Sequence, residues 1–316
     1  MGKRLKGRNA VVSGAGRGIG KSIALSLAEE GANVVICDLG VAVDGSKTGE
    51  TPADEVVAEC KKLGVKAVTN YGDVANFKDA EAMVKACVDN FGRIDILCNI
   101  AGIDKPAMIW KMTEQEWDQV VAVHLKGTFN LTRHAAPYMR EQKYGRIINC
   151  VSEAYQGGPG HLNYAAAKGG IATLTYGVAR EMGRYGVTCN SFIPRANTRM
   201  TMGPGVLEGL QKRVTVGVMT QAKLDAMLKS MADPKYFTAF ITYLASDAAA
   251  NINGQIFLTA GTTVGIFTQP VIATEVPRDW EKQGPWTVGE LEKIVPDKLL
   301  PSIGYVNPSP AQLDSK

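Results

Sequence analysis

Short runs of uninterrupted apolar residues alternate along this chain with longer stretches in which apolar residues recur every three to four positions. Continuous apolar runs of four to eight residues bounded by glycine or proline read as buried strands, and the 3.6-residue period reads as helix. On that basis "NAVVSG" at 9–14, "NVVICD" at 33–38 and "KAVTNYGD" at 66–73 predict the first three strands. "IDILCNIAG" at 94–102, "GRIINCVS" at 145–152 and "VTCNSFIP" at 187–194 predict three more, and "QIFLTAG" at 255–261 a seventh. Helical periodicity covers 18–30, 53–63, 77–91, about 114–141 and a last stretch running to about 184. Strands that are apolar on both faces and separated by helices belong to a parallel sheet covered on both sides. Right-handed crossovers then favour an α/β doubly wound, Rossmann-type sheet of about seven strands.

Two segments escape this alternation. Residues 195–232 are rich in Met, Gly and Thr, and the tail beyond Gly261 is rich in proline but carries Phe267, Trp280 and Trp286. The expected organisation is one catalytic domain over 1–261 with an extension, 262–316, packed on that domain or on a neighbouring subunit.

Composition narrows the classes of function. A length of 316 residues and a net charge of +4 fit one large globular domain with no dense basic block beyond "MGKRLKGR". That segment reads as a solvated lead-in, not as a nucleic-acid arm or a signal peptide, and no membrane span is expected. Cys37, Cys60, Cys87, Cys98, Cys150 and Cys189 form no CxxC pair, which fits reduced core thiols of a cytoplasmic protein. His124, His134 and His161 have no zinc-site spacing, so no metal site is expected.

"SGAGRGIG", Ser13 to Gly20, follows the first strand directly and opens a helix. Such a turn brings backbone close to an anion at a helix N-terminus, although alone it reads equally as a tight strand–helix connection. Asp38 ends the second strand, 18 residues after Gly20. An acidic side chain there accepts from ribose hydroxyls and repels a 2'-phosphate, favouring NAD over NADP. Arg17 argues the other way, since a cation within the loop could meet that phosphate; Asp38 is given the greater weight.

"NYAAAKGG" at 163–170 places Tyr164 and Lys168 four apart on a helix. They share one face, and alone they read as well as an interfacial tyrosine beside a solvated lysine. Ser152 ends the fifth strand, at the edge where doubly wound folds bind ligands. An ammonium beside a phenol lowers its pKa, which would bring Tyr164 toward neutral pH as general base for alcohol oxidation. Ser152 would then donate to the substrate oxygen.

With "SGAGRGIG", "GDV" (Gly72 to Val74), "NIAG" (Asn99 to Gly102), Ser152 and "YAAAK", the chain resembles the short-chain dehydrogenase/reductase family over roughly 7–261. The resemblance implies a nicotinamide cofactor held by Gly14, Arg17, Gly18, Ile19, Gly20 and Asp38, with Asp73 and Val74 by the adenine. It also implies support from Asn99, Ala101 and Gly102, Lys168 at the nicotinamide ribose, and Thr198 at the carboxamide. Homo-oligomers, dimers or tetramers, built on the helices at 114–141 and 161–184 are implied as well. His124 stands where the family usually has asparagine; it reads either as a core histidine or as part of a proton relay, since histidine titrates near neutrality.

The insert "DLGVAVDGSKTGETPADEV", "VHLKGTF", "PRANTRMT" and the long tail resemble, more narrowly, the 3-hydroxyacyl-CoA dehydrogenase module of type-2 multifunctional enzymes and its bacterial relatives. A CoA thioester substrate follows from that resemblance. Arg195 and Arg199 are then expected at the pocket entrance, meeting its phosphates. Met200, Met202, Met219, Met227 and Met231 are expected as an adaptable apolar wall, with core methionines of a helix pair as the plainer alternative. A free steroid, cyclic or aromatic alcohol, an NADP-dependent carbonyl reduction, or a non-catalytic nucleotide-binding subunit are the competing readings.

Overall fold

The computed structural model describes residues 3–302 apart from Val216 and Val218. The chain divides into a unit ending at Phe267 and a second unit beginning at Thr268.

The first unit is built on one sheet. Its strands are β1 (Asn9–Ser13), β2 (Asn33–Cys37), β3 (Ala67–Asn70), β4 (Ile96–Asn99), β5 (Gly145–Cys150), β6 (Val187–Arg195), β7 (Ile256–Ala260) and β8 (Thr263–Ile266). They lie in the order β3-β2-β1-β4-β5-β6-β7-β8. β1 to β7 are parallel, and β8 returns antiparallel on β7, pairing Phe257 with Ile266. Every residue of β1, β4 and β5 is buried, as strands covered on both faces require.

The helices of this unit are α1 (Gly18–Glu29), α2 (Pro52–Lys62), α3 (Phe77–Phe91), α4 (Glu114–Val121), α5 (Gly127–Gln142) and α6 (Leu162–Met182), then α7 (Arg199–Met202), α8 (Pro204–Thr215), α9 (Gln221–Ser230) and α10 (Lys235–Leu244). Ile23 and Leu27 of α1, Val56 of α2 and Phe237 and Ile241 of α10 pack on one face of the sheet. Met83 and Cys87 of α3 and Leu131 and Met139 of α5 pack on the other. Local chemistry sets the ends of these helices. Asn76 caps α3 by accepting from the backbone N–H groups of Lys78 (2.9 Å) and Asp79 (3.2 Å), and Gly92 ends it in the left-handed conformation. Thr113 and Glu116 form a capping box at α4.

Two sequence expectations change. The single helix expected over 114–141 is broken by a π-helical turn, Ala122–Lys126, which contains His124. An eighth strand lies beyond Gly261, where the extension was expected to begin.

The second unit holds α11 (Trp280–Gln283) and α12 (Val288–Ile294). Arg278 organises it by donating to the carbonyls of Gly284 (2.7 Å) and Gln283 (2.8 Å) and to Glu290 (3.0 Å). Its guanidinium stacks over Trp286 at 4.3 Å.

Candidate active site

The strand order reverses between β1 and β4, and a cavity of about 910 Å³ opens at the carboxyl edge of the sheet there. This is the switch point at which doubly wound sheets bind ligands. Gly14 has φ of 63°, and a Cβ on it would come within 2.7 Å of the Ala101 backbone. A Cβ on Gly20 would come within 2.1 Å of the Gly14 carbonyl oxygen. Only hydrogen fits at either position, so the loop folds tightly against α1. The start of α1 has no side-chain cap and no acidic residue in its first turn. Its free amides and the helix dipole therefore suit an anion such as a pyrophosphate, which is how the residues present fit a dinucleotide.

Asp38 is fixed at the end of β2. One of its oxygens accepts from Gly16 N–H at 2.8 Å and the other from Gly40 N–H at 2.8 Å. Arg17 lines the cavity and forms an ion pair with Glu50. Gly18, Ile19, Asp73, Val74, Ala101 and Gly102 also line the cavity. Asp73 accepts from Ala75 N–H at 2.9 Å, and Asn130 donates to the Val74 carbonyl at 2.9 Å. Asn99, expected at the cofactor, is not on the lining. It is buried beneath it, donating to Asn149 at 2.8 Å, so it supports the floor through β5.

The insert supplies a wall that the sequence reading assigned to no site: Val41 to Ser46 line the cavity. Asp104 N–H donates to the Val43 carbonyl at 2.9 Å and Ala42 N–H to that of Ser46 at 2.8 Å, so the loop is pinned over the opening. Its signal in sequence is a short apolar run between Gly40 and Gly45.

At the other end Ser152, Tyr164 and Lys168 come together on one lining. Alanines put Tyr164 and Lys168 one turn apart on α6, whose Ala165 and Ala167 are buried. Lys168 Nζ lies 5.5 Å from the Tyr164 ring centre and donates to the Cys150 carbonyl at 2.6 Å. Lys168 is not among the groups that move the Tyr164 phenol here. Burial pushes the Tyr164 phenol above its ordinary value, with the Ser152 hydroxyl pulling it back. The ammonium is turned to a carbonyl oxygen, and burial lowers its own pKa.

His124 is buried, with its ring edge-on to Tyr164 at 5.0 Å between centres. Nε2 lies 2.7 Å from the Ile103 carbonyl oxygen, and Nδ1 has no hydrogen-bond partner among the described residues. A Cβ on Gly102 would come within 2.2 Å of Cε1. Burial, and secondarily Lys168, push the imidazole down to about 3. The ring is therefore held in its neutral form near pH 7, edge-on to Tyr164.

On the substrate side, Thr198, Arg199 and Met200 reach the lining. Arg195 does not; it is held by Glu153 through bonds of 2.9 and 2.5 Å. Met202, Met219, Met227 and Met231 are also off the lining, so only the start of the 195–232 segment shapes this cavity. Lys105 and Gln119 line it without having been anticipated. Among the described residues, no group of three or more His, Cys, Asp or Glu could hold a metal ion, and no helix is long and apolar enough to cross a membrane.

A doubly wound sheet with a glycine-lined anion site and a Ser–Tyr–Lys cluster at its carboxyl edge defines a nicotinamide-dependent oxidoreductase, and the chain belongs to the short chain dehydrogenase family, whose model it matches over residues 8–204. Its activity interconverts secondary alcohols and ketones. It is 40% identical over 275 residues to hydroxyacyl-CoA dehydrogenase ChsB1 of Mycobacterium tuberculosis, covering 84% of this chain and 81% of that one. It is 45% identical over 201 residues to peroxisomal multifunctional enzyme type 2 of Drosophila melanogaster, covering 63% of this chain but only 33% of that enzyme. A solved short chain dehydrogenase from Mycobacterium avium superposes with a TM-score of 0.77 at 36% identity, over 95% of this chain and 96% of that one.

Proposed function

We propose that the protein oxidises a 3-hydroxyacyl-CoA thioester, or reduces the matching ketone, with NAD as its cofactor. The observation that carries this reading is the single cavity running from Asp38 at one end to Ser152 and Tyr164 at the other, with Arg199 on its lining. The name of the tuberculosis relative, a hydroxyacyl-CoA dehydrogenase, supports the thioester.

A nicotinamide held here would accept or supply the hydride. Tyr164 as its phenolate takes the hydroxyl proton of the alcohol, and as the phenol returns it when the ketone is reduced. Ser152 donates a hydrogen bond to the same substrate oxygen, where charge develops. Lys168, anchored on the Cys150 carbonyl, sits one turn below Tyr164 to hold the nicotinamide ribose. Asp38 would hold the adenosine ribose by accepting from its hydroxyls. A homo-oligomer belongs to the same reading: Trp117 of α4 and Phe129 of α5 are exposed apolar side chains on the helices expected to pair.

One observation favours a second substrate class. With Arg195 held by Glu153, Arg199 and Lys105 are left to meet CoA phosphates, and a free bulky alcohol needs neither. The test compares kcat/KM for a 3-hydroxyacyl-CoA with that for the corresponding free alcohol, in the wild type and in Arg199→Ala. The thioester reading expects the CoA portion to raise kcat/KM and Arg199→Ala to remove about tenfold of that gain, as loss of one charge-assisted contact does. Equal values for both substrates, unaffected by Arg199→Ala, would transfer the assignment to a free alcohol.

A further inference from the structure

The end of β2 carries more charge than Asp38 alone. Arg17 is the one cation in the loop Gly14–Gly20, and its side chain lies on the cavity lining. Left unpaired, it would attract a phosphate on the adenosine ribose. Glu50 of the insert engages it in a direct ion pair, with Glu50 itself off the lining.

The pair is anchored at both ends by backbone. Thr48 Oγ1 donates to the Gly40 carbonyl at 2.6 Å, and Glu50 N–H donates to Thr48 Oγ1 at 3.3 Å. A Cβ on Gly40 would come within 2.0 Å of the Glu50 carbonyl oxygen, so the two ends of the insert touch. Gly16, beside Arg17, packs against Pro52 at the start of α2: a Cβ there would lie 2.7 Å from Pro52 Cγ. The insert thus closes on the glycine loop and delivers a carboxylate to Arg17. Glu50 neutralises the Arg17 guanidinium, and Asp38, fixed on the Gly16 and Gly40 amides, adds a second carboxylate at the end of β2, so the three side chains carry a net charge of −1. A ribose hydroxyl is tolerated there and donates to Asp38. A 2'-phosphate, with about two negative charges of its own, meets Asp38 and an Arg17 already paired with Glu50.

We infer that Glu50 is a second determinant of cofactor choice, a positioning residue that excludes a 2'-phosphorylated dinucleotide by holding Arg17 in an ion pair. The inference rests on the NAD reading given above. It is tested by the ratio of kcat/KM with NADP to that with NAD, measured at low ionic strength, where exposed charges are least screened. Glu50→Gln should raise the ratio about tenfold, chiefly through a lower KM for NADP. The gain should vanish in Glu50→Gln combined with Arg17→Ala, and Glu50→Asp should stay near the wild-type ratio. A purely structural role for Glu50 would not make its effect depend on Arg17. An unchanged ratio in Glu50→Gln, or a gain that persists without Arg17, overturns the inference and leaves the NAD reading standing. A wild type that itself prefers NADP overturns the NAD reading instead.

Discussion

His124 is a buried imidazole whose environment holds it well away from its ordinary chemistry. Removed from water and set beside Lys168, it keeps its neutral form down to about pH 3. The unfolded chain takes up that proton as the pH falls below about 6.5, and the folded chain does not. Stability is therefore full above 6.5 and declines as the pH falls toward 3. Between pH 7 and pH 5 this one group removes about 2 kcal/mol. His124→Asn should flatten the fall in unfolding free energy over that interval by about this amount, read from urea melts at the two pH values. An unchanged slope would mean that the folded imidazole takes up its proton near neutrality after all. Ser152, Tyr164 and Lys168 were legible in sequence because chemistry, spacing and position at a strand end coincide. The direction of the Tyr164 shift was not, because it depends on how far the phenol is buried and on Lys168 turning to the Cys150 carbonyl. The Glu153 partner of Arg195 was hidden for a similar reason: it lies 42 residues away in the chain.

Among the elements, β1 to β7 follow from their apolar runs, since a strand buried on both faces has no other economical composition. β8 did not follow. It is four residues long, mostly exposed, and made a strand only by its antiparallel pairing to β7. That pairing moves the boundary of the first unit from Gly261 to Phe267. Truncation after Phe267 keeps β8, whereas truncation after Ala260 leaves the edge of β7 unpaired, with Phe257 and Leu258 beside it. The longer fragment should melt cooperatively by circular dichroism and remain dispersed in light scattering. The shorter one should melt lower and aggregate. Equal behaviour of the two fragments would show that β8 contributes nothing to the sheet. The π-helical turn at Ala122–Lys126 was equally hidden, because periodicity does not distinguish one wide turn inside a long helix.

Taken whole, the molecule places the glycine loop, Asp38, Ser152, Tyr164 and Lys168 along one cavity at one edge of one sheet. Sequence order alone predicted that edge, since strand ends, the glycine loop and Ser152 all fall on it. The wall formed by Val41 to Ser46 was not visible, because an insert declares its length and not where it folds. The central claim is that Tyr164 moves the proton while the rest of the cavity binds. The direct measurement is Tyr164→Phe, with NAD affinity by calorimetry and turnover of a 3-hydroxyacyl-CoA and its free alcohol by nicotinamide absorbance. Loss of the phenol oxygen should lower kcat by about a thousandfold on whichever substrate the wild type turns over, the range expected for a lost general base. The dissociation constant for NAD should stay within about twofold. Turnover near the wild-type rate in a variant that still binds NAD would contradict the assignment of Tyr164 as the proton-transferring group.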